Sequence, residues 1–305
     1  SIRSGISIHV RRRVFAAVSI EIAAIWTPEG CRAVEELQRD VWGLDPVETV
    51  PSHVLTTAQR NGGLVVGAFE EQPDGRSRLV GFVFGFVGLT SGGKLKHCSH
   101  MLGVAPGYQG QGIGYRLKLA QRERVLDRRI DLITWTFDPL ESRNANLNFR
   151  KLGATCSTYL RDFYGDMRDD LNAGLPSDRF QVAWHIASER VARRLQRETP
   201  LPVQEPESWS STWLSEGTPI LNRFSPGERP QPPQSVLPFQ GDRVLIQIPV
   251  HFQGVRSLDI GLARAWREHS RTLFEDAFQA GYTVVDFLFD EGRGYYVLAG
   301  DWELV

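Results

Sequence analysis

Apolar and polar residues along the first part of the chain alternate in runs that predict short strands and helices. Thr27 and Pro28 are typical of a helix N-cap and first turn, and Gly43 of the residue that ends the helix. Two apolar, β-branched and aromatic runs, 63–69 and 78–89, flank a Pro-Asp-Gly turn and predict a β-hairpin. The segment between that helix and the hairpin is interpreted as a loop. A strand, a glycine-rich loop and a helix follow, with the strand over 97–104 and the helix over 115–129.

The alternation continues with a strand, a short helix that Ser142 caps, and another strand, over 130–138, 142–153 and 156–165. The next segment, 179–186, alternates as a half-buried strand does, with inward positions at Phe180, Val182, Trp184 and Ile186. Strands and helices in this order predict a mixed sheet with helices and argue against a doubly wound parallel sheet.

Composition divides the chain into four predicted segments: an irregular lead-in over 1–13, a main domain over 14–197, an arm over 198–240 and a βαββ unit over 241–305. Nine of the 17 prolines lie between Pro200 and Pro238, which predicts a linker or an extended wrapping arm. Trp209 and Trp213 indicate that this arm packs on the rest of the chain. The last segment has a strand over 243–252 and a helix whose inner face carries Leu262, Trp266, Leu273 and Ala277.

Charge and cysteine content narrow the class of protein. A chain of 305 residues with 41% hydrophobic residues can bury a sizeable core, and a net charge of −1 gives no general reason to bind nucleic acid or an anionic membrane. No apolar run approaches the roughly 18 residues of a membrane span. The cysteines, Cys31, Cys98 and Cys156, are odd in number and widely spaced, which favours a reducing compartment over a disulfide framework or a zinc site. We predict a cytoplasmic protein that uses no metal.

The glycine-rich stretch VAPGYQGQGIGYRLKLA, 104–120, stands between a predicted strand and a predicted helix. Such a turn places unpaired backbone N–H groups and the positive end of a helix around an anion, and phosphate is the natural ligand. The Walker pattern fails because no Gly-Lys-Ser or Gly-Lys-Thr follows, and the dinucleotide fingerprint fails because Tyr115 takes the place of its third glycine. A plain strand-to-helix turn that tolerates glycine is the alternative.

Gln109, Gly112 and Gly114 match the pattern Gln-x-x-Gly-x-Gly. With these residues the sequence resembles the GNAT superfamily of N-acyltransferases, whose acyl-CoA loop has this spacing, in a large form with a C-terminal extension. The resemblance covers roughly residues 14–190 and includes NANLNFRKLG, which is similar to the family's helix ending in Tyr-x-Lys-Leu-Gly. It implies an α+β fold: a mixed, mostly antiparallel sheet with splayed central strands, flanked by helices, beside the C-terminal βαββ unit.

The same resemblance implies acetyl-CoA or another acyl-CoA as co-substrate. Two stretches and a helix are expected to bind it: the strand end at Leu102, Gly103 and Val104, the loop at Gln109, Gly110, Gln111, Gly112, Ile113 and Gly114, and the pair Asn144 and Asn148. Capping or surface roles are equally open for the two asparagines. Of the basic residues in the helix after the loop, Lys118 among them, one or two are expected to meet the 3′-phosphate of CoA and most to form a solvated face.

The catalytic residues are less well defined by the resemblance. Phe149 stands where many GNAT enzymes have the tyrosine that protonates the departing thiolate, so Tyr159, Tyr164 or water would have to serve as the acid. An amine attacks only after losing a proton, and His100 is the predicted base, with Asp138 and Glu141 as candidates for a proton relay. A histidine bonded within the sheet is an equal alternative for His100 and the favoured one for His97.

For the acceptor, His53 and Arg179 are the candidate binding residues, with a turn ion pair as the alternative role of Arg179. The predicted function is transfer of an acyl group, with acetyl expected, to a primary amine of a small molecule such as an amino acid. An amino-acid N-succinyltransferase and a non-catalytic acyl-CoA-binding regulatory module are the alternatives. The C-terminal unit is left with three roles: extending the sheet, covering the acceptor site, or joining two subunits as a homodimer.

Overall fold

The computed structural model describes residues 19–44, 47–165, 167, 173–196 and 217–303. The predicted lead-in over 1–13 and the tryptophans Trp209 and Trp213 of the predicted arm lie outside these ranges. The elements of the first part, in chain order, are β1 (Ile20–Ala24), α1 (Pro28–Trp42), α2 (Ser52–Arg60), β2 (Leu64–Glu71), β3 (Ser77–Leu89), β4 (Leu95–Val104), α3 (Ile113–Leu126), β5 (Leu132–Phe137), α4 (Ser142–Ala145), β6 (Tyr159–Leu160), β7 (Arg179–His185) and α5 (Glu189–Leu195). The second part has β8 (Arg243–Ile248), α6 (Phe252–Leu258), α7 (Ile260–Gln279), β9 (Thr283–Asp290) and β10 (Arg293–Ala299).

Seven strands form the main sheet in the order β1-β2-β3-β4-β5-β7-β6. Every neighbouring pair is antiparallel except β4 with β5, which is parallel. Helices α1 and α2 pack on one face around Leu55 and Phe82, and α3 packs on the other around Val83 and Leu117. The predicted α+β class with a mixed, mostly antiparallel sheet is confirmed.

Local signals place α1 and β7 as predicted. The Thr27 hydroxyl accepts a hydrogen bond from the Gly30 N–H at 3.1 Å, and Gly43 ends α1 with a φ of 64°. The four apolar side chains expected to face inward along 179–186 are all completely buried: Phe180, Val182, Trp184 and Ile186.

Three element predictions are wrong. Residues 52–60, predicted as a loop, form α2, which buries Leu55 against the sheet. The strand predicted over 156–165 is limited to Tyr159–Leu160, because backbone and side-chain atoms of Ser177 and Asp178 bind the following turn. The strand predicted over 243–252 ends at Ile248, before Pro249, and α6 begins at Phe252.

The C-terminal unit forms a three-stranded sheet, in the order β8-β10-β9, with α6 and α7. Its core is continuous with that of the main domain: the Phe274 ring of α7 lies 4.7 Å from the Phe180 ring of β7, measured between centroids. Residues 155–156 connect the two sheets, because Thr155 pairs with Ala183 of β7 and Cys156 pairs with Val284 of β9. The C-terminal strands therefore form a sheet of their own beside the main sheet, and the three roles predicted for this unit stay predictions.

Buried ion pairs also join the two parts of the chain: Asp138 with Arg267, Asp178 with Arg271, and Asp286 with Arg150 and Arg194. The described end of the arm packs on the C-terminal unit, since the Pro230 carbonyl accepts a hydrogen bond from the Trp266 indole at 2.6 Å. None of the described helices combines the length and the apolar character that crossing a bilayer requires.

Candidate active site

The two central strands of the main sheet separate after a short contact. β4 pairs with β5 only at His97 with Ile133 and at Cys98 with Thr134. Beyond Cys98, β4 stays paired with β3 as far as Val104, whereas β5 pairs with β7. The gap between Ser99–Val104 of β4 and 135–137 of β5 is called the fork here. Within the described residues, no strand pairs with the β4 edge in the fork, so its backbone groups can bind an extended ligand as an added strand would.

A β-bulge lies at the point where the fork opens. The β3–β4 register shifts so that Phe84 faces Met101 and Gly85 faces Ser99, which leaves His100 as the extra, unpaired residue. A bulge bends a strand and re-aims its side chains, and such features are common beside active sites. His100 therefore points to the α1–α2 face, where Phe84 and Phe86 contact it, while Ser99 faces α3.

The His100 side chain is exposed and lies against two aromatic rings, with centroid distances of 6.0 Å to Phe84 and 5.9 Å to Phe86. Desolvation by these neighbours lowers the pKa of His100 below its usual value. The imidazole is then mostly neutral at pH 7, the form that accepts a proton. The geometry suits the predicted role of His100 as a base, which stays a prediction.

The glycine-rich loop follows the fork directly. Gly110 and Gly112 have φ values of 77° and 78°, and a Cβ at either position would meet no atom within 4 Å. Glycine is favoured there because of the positive φ, and the loop surface faces open space. Gly112 precedes Ile113, the first residue of α3, and no side chain caps this helix. The first N–H groups of α3 therefore face outward as an anion-binding end.

Side chains of the loop tie it to the strands. Tyr108 donates a hydrogen bond to Glu70 Oε2 at 2.6 Å, and Arg116 donates to the Ile20 carbonyl at 2.6 Å. Gln109 donates to the Val104 carbonyl at 3.1 Å, so this predicted cofactor residue holds the end of β4. Gln111 donates to the Gly107 carbonyl at 3.2 Å. These hydrogen bonds pre-organise the loop.

The short helix predicted after β5 is present but is not a regular α-helix, because α4 continues from Asn146 as a π-helix to Lys151. Asn144 is exposed and Asn148 is buried, so the expectation that both share one binding surface is not supported. Glu141, and not Ser142, is the N-cap of α4; the Ser142 hydroxyl donates to the Val250 carbonyl at 2.8 Å.

Phe149 lies in the middle of the aromatic core. Its ring is completely buried, with centroid distances of 5.9 Å to Phe137 and 5.8 Å to Tyr296. A phenyl ring has no proton to give, and it fills this position with apolar contacts. The fork therefore has to obtain any acid from another residue.

Asp138, predicted to take part in a proton relay, forms a buried ion pair with Arg267. Both of its carboxylate oxygens accept hydrogen bonds from the Arg267 guanidinium, and Oδ1 also accepts from the Leu140 N–H at 2.8 Å. Burial by itself would raise the pKa of Asp138, but the attraction and hydrogen bonds of Arg267 outweigh it and hold the pKa below its usual value. The relay role has no support in this geometry.

Tyr159 is likewise engaged at the C-terminal unit. Its hydroxyl donates to Asp178 Oδ2 at 2.7 Å, and Arg271 binds the same carboxylate. Burial and the Asp178 charge raise the pKa of Tyr159 well above its usual value. A phenol this weakly acidic is a poor catalytic acid at neutral pH, so the catalytic role predicted for Tyr159 also lacks support.

The two candidate acceptor residues lie apart. Arg179 is buried at the start of β7, donates to the Asp178 carbonyl at 2.9 Å and lies 5.5 Å from the Tyr164 ring centroid. Its neighbour Tyr164 is exposed, and its hydroxyl is 2.9 Å from Thr136 Oγ1 on β5, beside the fork. His53 is exposed in the first turn of α2.

One feature of the site was not predicted. Lys118, expected on a solvated face, is almost completely buried between α3 and the strands. Its Nζ donates to Ser99 Oγ at 2.7 Å and lies 3.8 Å from the centroid of a Trp135 ring. The sequence carried a signal for this burial: in the helix predicted over 115–129, Lys118, Gln121 and Val125 are spaced as an inner stripe.

In the described ranges, no group of three or more His, Cys, Asp or Glu side chains is arranged to hold a metal ion. The anion-binding end of α3 and the open edge of β4 are the features of the site that can bind a ligand.

No protein-family model matches the sequence, and no curated protein sequence matches it. The solved structures that align with this chain include acetyltransferases. Arabidopsis thaliana NAA60 in complex with acetyl-CoA aligns with a TM-score of 0.45 and 17% identity, over 55% of this chain and 99% of that one. The ribosomal-protein-S18-alanine N-acetyltransferase from Escherichia coli aligns with a TM-score of 0.42 and 17% identity, over 55% and 94%. IAA acetyltransferase from Bacillus cereus aligns with a TM-score of 0.39 and 17% identity, over 54% and 98%. At this level of similarity the activity of the present chain has to be inferred from its own site.

Proposed function

We propose that this protein is an acyl-CoA-dependent N-acyltransferase that transfers an acyl group, with acetyl expected, to a primary amine of a small molecule such as an amino acid. The observation that carries the proposal is the continuity of the open β4 edge, from Ser99 to Val104, with the glycine-rich loop and the uncapped end of α3. The amides of a pantetheine arm suit the open edge, and a pyrophosphate suits the loop. Along the chain the open β4 edge leads into the glycine-rich loop, and along CoA the pantetheine arm leads into the pyrophosphate.

In this proposal Gln109 holds the loop on the end of β4, the backbone N–H groups of the loop from Gly110 to Gly114 bind the pyrophosphate, and Leu102, Gly103 and Val104 bind the pantetheine. The thioester then lies near the bulge at His100. A backbone N–H of β4 in the fork can donate to the thioester oxygen and stabilise the negative charge that develops there.

His100 removes the proton from the attacking amine. Its side chain reaches solvent on the α1–α2 face, and its lowered pKa keeps the imidazole neutral at pH 7. Proton transfer by a positioned side chain contributes roughly a factor of 100 to 10,000 to a rate. The exposed phenol of Tyr164, beside the end of β5, is suited to bind the acceptor on the same side of the sheet.

Phe149 favours the second candidate function, a regulatory module that binds acyl-CoA without turnover, because it removes the family's acid from its usual position. A thiol with a pKa of about 8.5 leaves tolerably well as a thiolate, so the missing tyrosine does not by itself prevent catalysis. Succinyl transfer would require a cation that reaches the donor or acceptor carboxylate, and the buried position of Arg179 does not favour it.

The test begins with calorimetric titration of the protein with CoA, acetyl-CoA and succinyl-CoA. Gly110→Ala places a methyl group where the pyrophosphate approaches, and we expect its affinity for CoA to fall about tenfold or more. Gly93→Ala is the matched control, because Gly93 has the same φ of 77° and open surroundings but lies in the β3–β4 turn. Both substitutions carry a similar backbone strain of about 1 kcal/mol.

Thiol release is then measured with the ester that binds, over a panel of amines and amino acids. Turnover supports the acyltransferase, and binding without turnover over the whole panel supports the regulatory module. Equal CoA affinity of the Gly110→Ala and Gly93→Ala variants would show that the loop does not bind the pyrophosphate.

A further inference from the structure

Lys118 is a buried cation at the point where the fork opens. Its side chain comes from α3, and its ammonium contacts one residue of each diverging strand: Ser99 of β4, with Oγ at 2.7 Å, and Trp135 of β5, with a ring centroid at 3.8 Å. Ser99 and Trp135 are the first residues beyond the last β4–β5 pair, Cys98 with Thr134. The ammonium therefore lies at the apex of the fork.

No carboxylate of the described residues forms an ion pair with this ammonium. Its other hydrogen-bond partner is Gln121 Oε1 at 3.3 Å, and Gln121 Nε2 lies 3.2 Å from His97 Nε2. Because an ammonium can only donate, the Gln121 oxygen faces Lys118 and its NH₂ group donates to His97. Burying a lysine without a counter-charge is costly, so a simple packing role would be served better by an apolar side chain.

The hydrogen bond from Lys118 also determines what Ser99 can do. Ser99 Oγ is the acceptor in that bond, so the hydroxyl proton of Ser99 is left for another acceptor. Among the described residues, no acceptor is recorded for this proton. Ser99 is buried where the β4 edge opens, directly beyond the last β4–β5 pair, so its hydroxyl lies at the apex of the fork.

We propose that Ser99, supplied with a proton by Lys118, is the acid that protonates the departing CoA thiolate. This proposal rests on the proposed acyltransferase function. It gives the fork the acid that Phe149 cannot provide. Ser99 is the catalytic residue, because it touches the sulfur, and Lys118 is a positioning residue and proton source that acts through it.

When the tetrahedral intermediate collapses, the C–S bond breaks and its electron pair goes to sulfur. The Ser99 hydroxyl proton moves to the sulfur, and a Lys118 proton replaces it on Oγ, which leaves CoA as the thiol and Lys118 as a neutral amine. Lys118 regains a proton from solvent after CoA has left the fork.

The surroundings of Lys118 suit this transfer. Desolvation lowers the pKa of Lys118 to about 7, so its proton is easily given up. The titratable group that faces it from β4 is His97, whose pKa is lowered to about 3 by burial and by the charges of Lys118 and Arg128, so His97 stays neutral. From β5 it meets the uncharged Trp135, and from α3 the uncharged Gln121.

The experiment compares wild type with Lys118→Met, Ser99→Ala and Ser99→Thr, using acetyl-CoA and the amine that gives the fastest thiol release. We expect the Kd for CoA to change by less than about threefold in all variants, and kcat of Lys118→Met and Ser99→Ala to fall about 10- to 100-fold. Ser99→Thr keeps the hydroxyl and most of the activity. The double variant should be no slower than either single variant, because the two residues act as one unit. Lys94→Met, an exposed lysine in the β3–β4 turn, is the matched control for loss of one positive charge.

The pH profile distinguishes this role from a structural one. The acid must be protonated, so kcat of wild type should fall as the pH rises through about 7, the pKa of Lys118. That decline should be absent in Lys118→Met. A merely structural lysine would change the melting temperature and leave the alkaline limb in place.

Failure of the proposed acyltransferase function can be distinguished from failure of the acid assignment alone. If wild type shows no turnover with any donor, the proposed function fails and the acid assignment falls with it. If wild type is active and the variants keep its kcat and its alkaline limb, or lose CoA binding instead of kcat, the acid assignment alone is overturned.

Discussion

Replacement of Arg267 by methionine tests whether Asp138 is a structural or a catalytic carboxylate. The Asp138 and Arg267 side chains are 10% and 2% exposed, and two parallel hydrogen bonds join them. Arg267→Met leaves the Asp138 carboxylate buried, with the Leu140 N–H as its remaining hydrogen-bond donor among the described residues. Breaking a buried pair in this way typically costs about 3 to 5 kcal/mol of unfolding free energy.

Asp138→Asn and the double variant, together with wild type and Arg267→Met, form a double-mutant cycle. Asp138→Asn removes the charge and keeps an oxygen that can accept from the Leu140 N–H, and it leaves the guanidinium without its counter-ion. In the double variant neither unpaired charge remains. We therefore expect its loss of unfolding free energy to be smaller than the sum of the two single losses by roughly 2 kcal/mol or more. Urea denaturation at pH 7 gives the unfolding free energy of all four proteins. Equal m-values would show that the four expose the same surface on unfolding.

The contribution of Asp138 to the unfolding free energy should decrease as the pH falls. The folded-state pKa of Asp138 is depressed: burial would raise it, and Arg267 outweighs that effect. Its contribution to stability is therefore present above the unfolded pKa of about 3.9 and is lost as the pH falls through the lower folded value. The stability difference between wild type and Arg267→Met should shrink in acid.

Thiol release by Asp138→Asn completes the test. An ion-pair role predicts that the folded variant keeps its kcat within about threefold, whereas a general acid–base role predicts a loss of roughly 100-fold or more that the double variant does not restore. A cost of less than about 1 kcal/mol for Arg267→Met, the value of an exposed pair, would refute the buried ion pair.

Three further predictions concern the core, a helix cap and the base. Phe274→Ala should cost about 3 to 5 kcal/mol of unfolding free energy in urea denaturation, because this α7 ring is completely buried against Phe180 of the main sheet; a cost below about 1 kcal/mol would mean that the two parts do not share a core. Thr27→Ala should cost about 1 kcal/mol and Thr27→Ser much less, since the hydroxyl caps α1; equal melting temperatures would contradict this. His100→Gln should lower kcat about 100-fold or more and leave the CoA affinity unchanged; an unchanged kcat would exclude His100 as the base.

Much of the site was accessible from the sequence because its parts are local. The glycine pattern at Gly110 and Gly112 reports two positive φ angles, which is a property of the backbone at those residues. The alternation in β7 and the cap at Thr27 are likewise set by neighbours within a few positions. The order of strands and helices around the loop then gave the α+β class.

The roles of several polar residues could not be predicted in the same way. Asp138 follows β5 directly and looks like a relay carboxylate, but a helix 129 positions further along the chain supplies its partner, Arg267. Tyr159 is bound by Asp178, whose carboxylate Arg271 of the same helix also binds. A free carboxylate and a paired one have the same sequence signal, because long-range ion pairs leave no local pattern.

What the sequence by itself determined is the short-range geometry: the glycine loop, the cap of α1 and the inward face of β7. What only the tertiary structure decided is which charges are buried and with whom. The bulge at His100 depends on the register between β3 and β4, and the position of Lys118 at the apex of the fork depends on where β4 leaves β5. The physical reason is that backbone conformation is set by adjacent residues, whereas the desolvation and pairing of a charge depend on elements that meet only after folding.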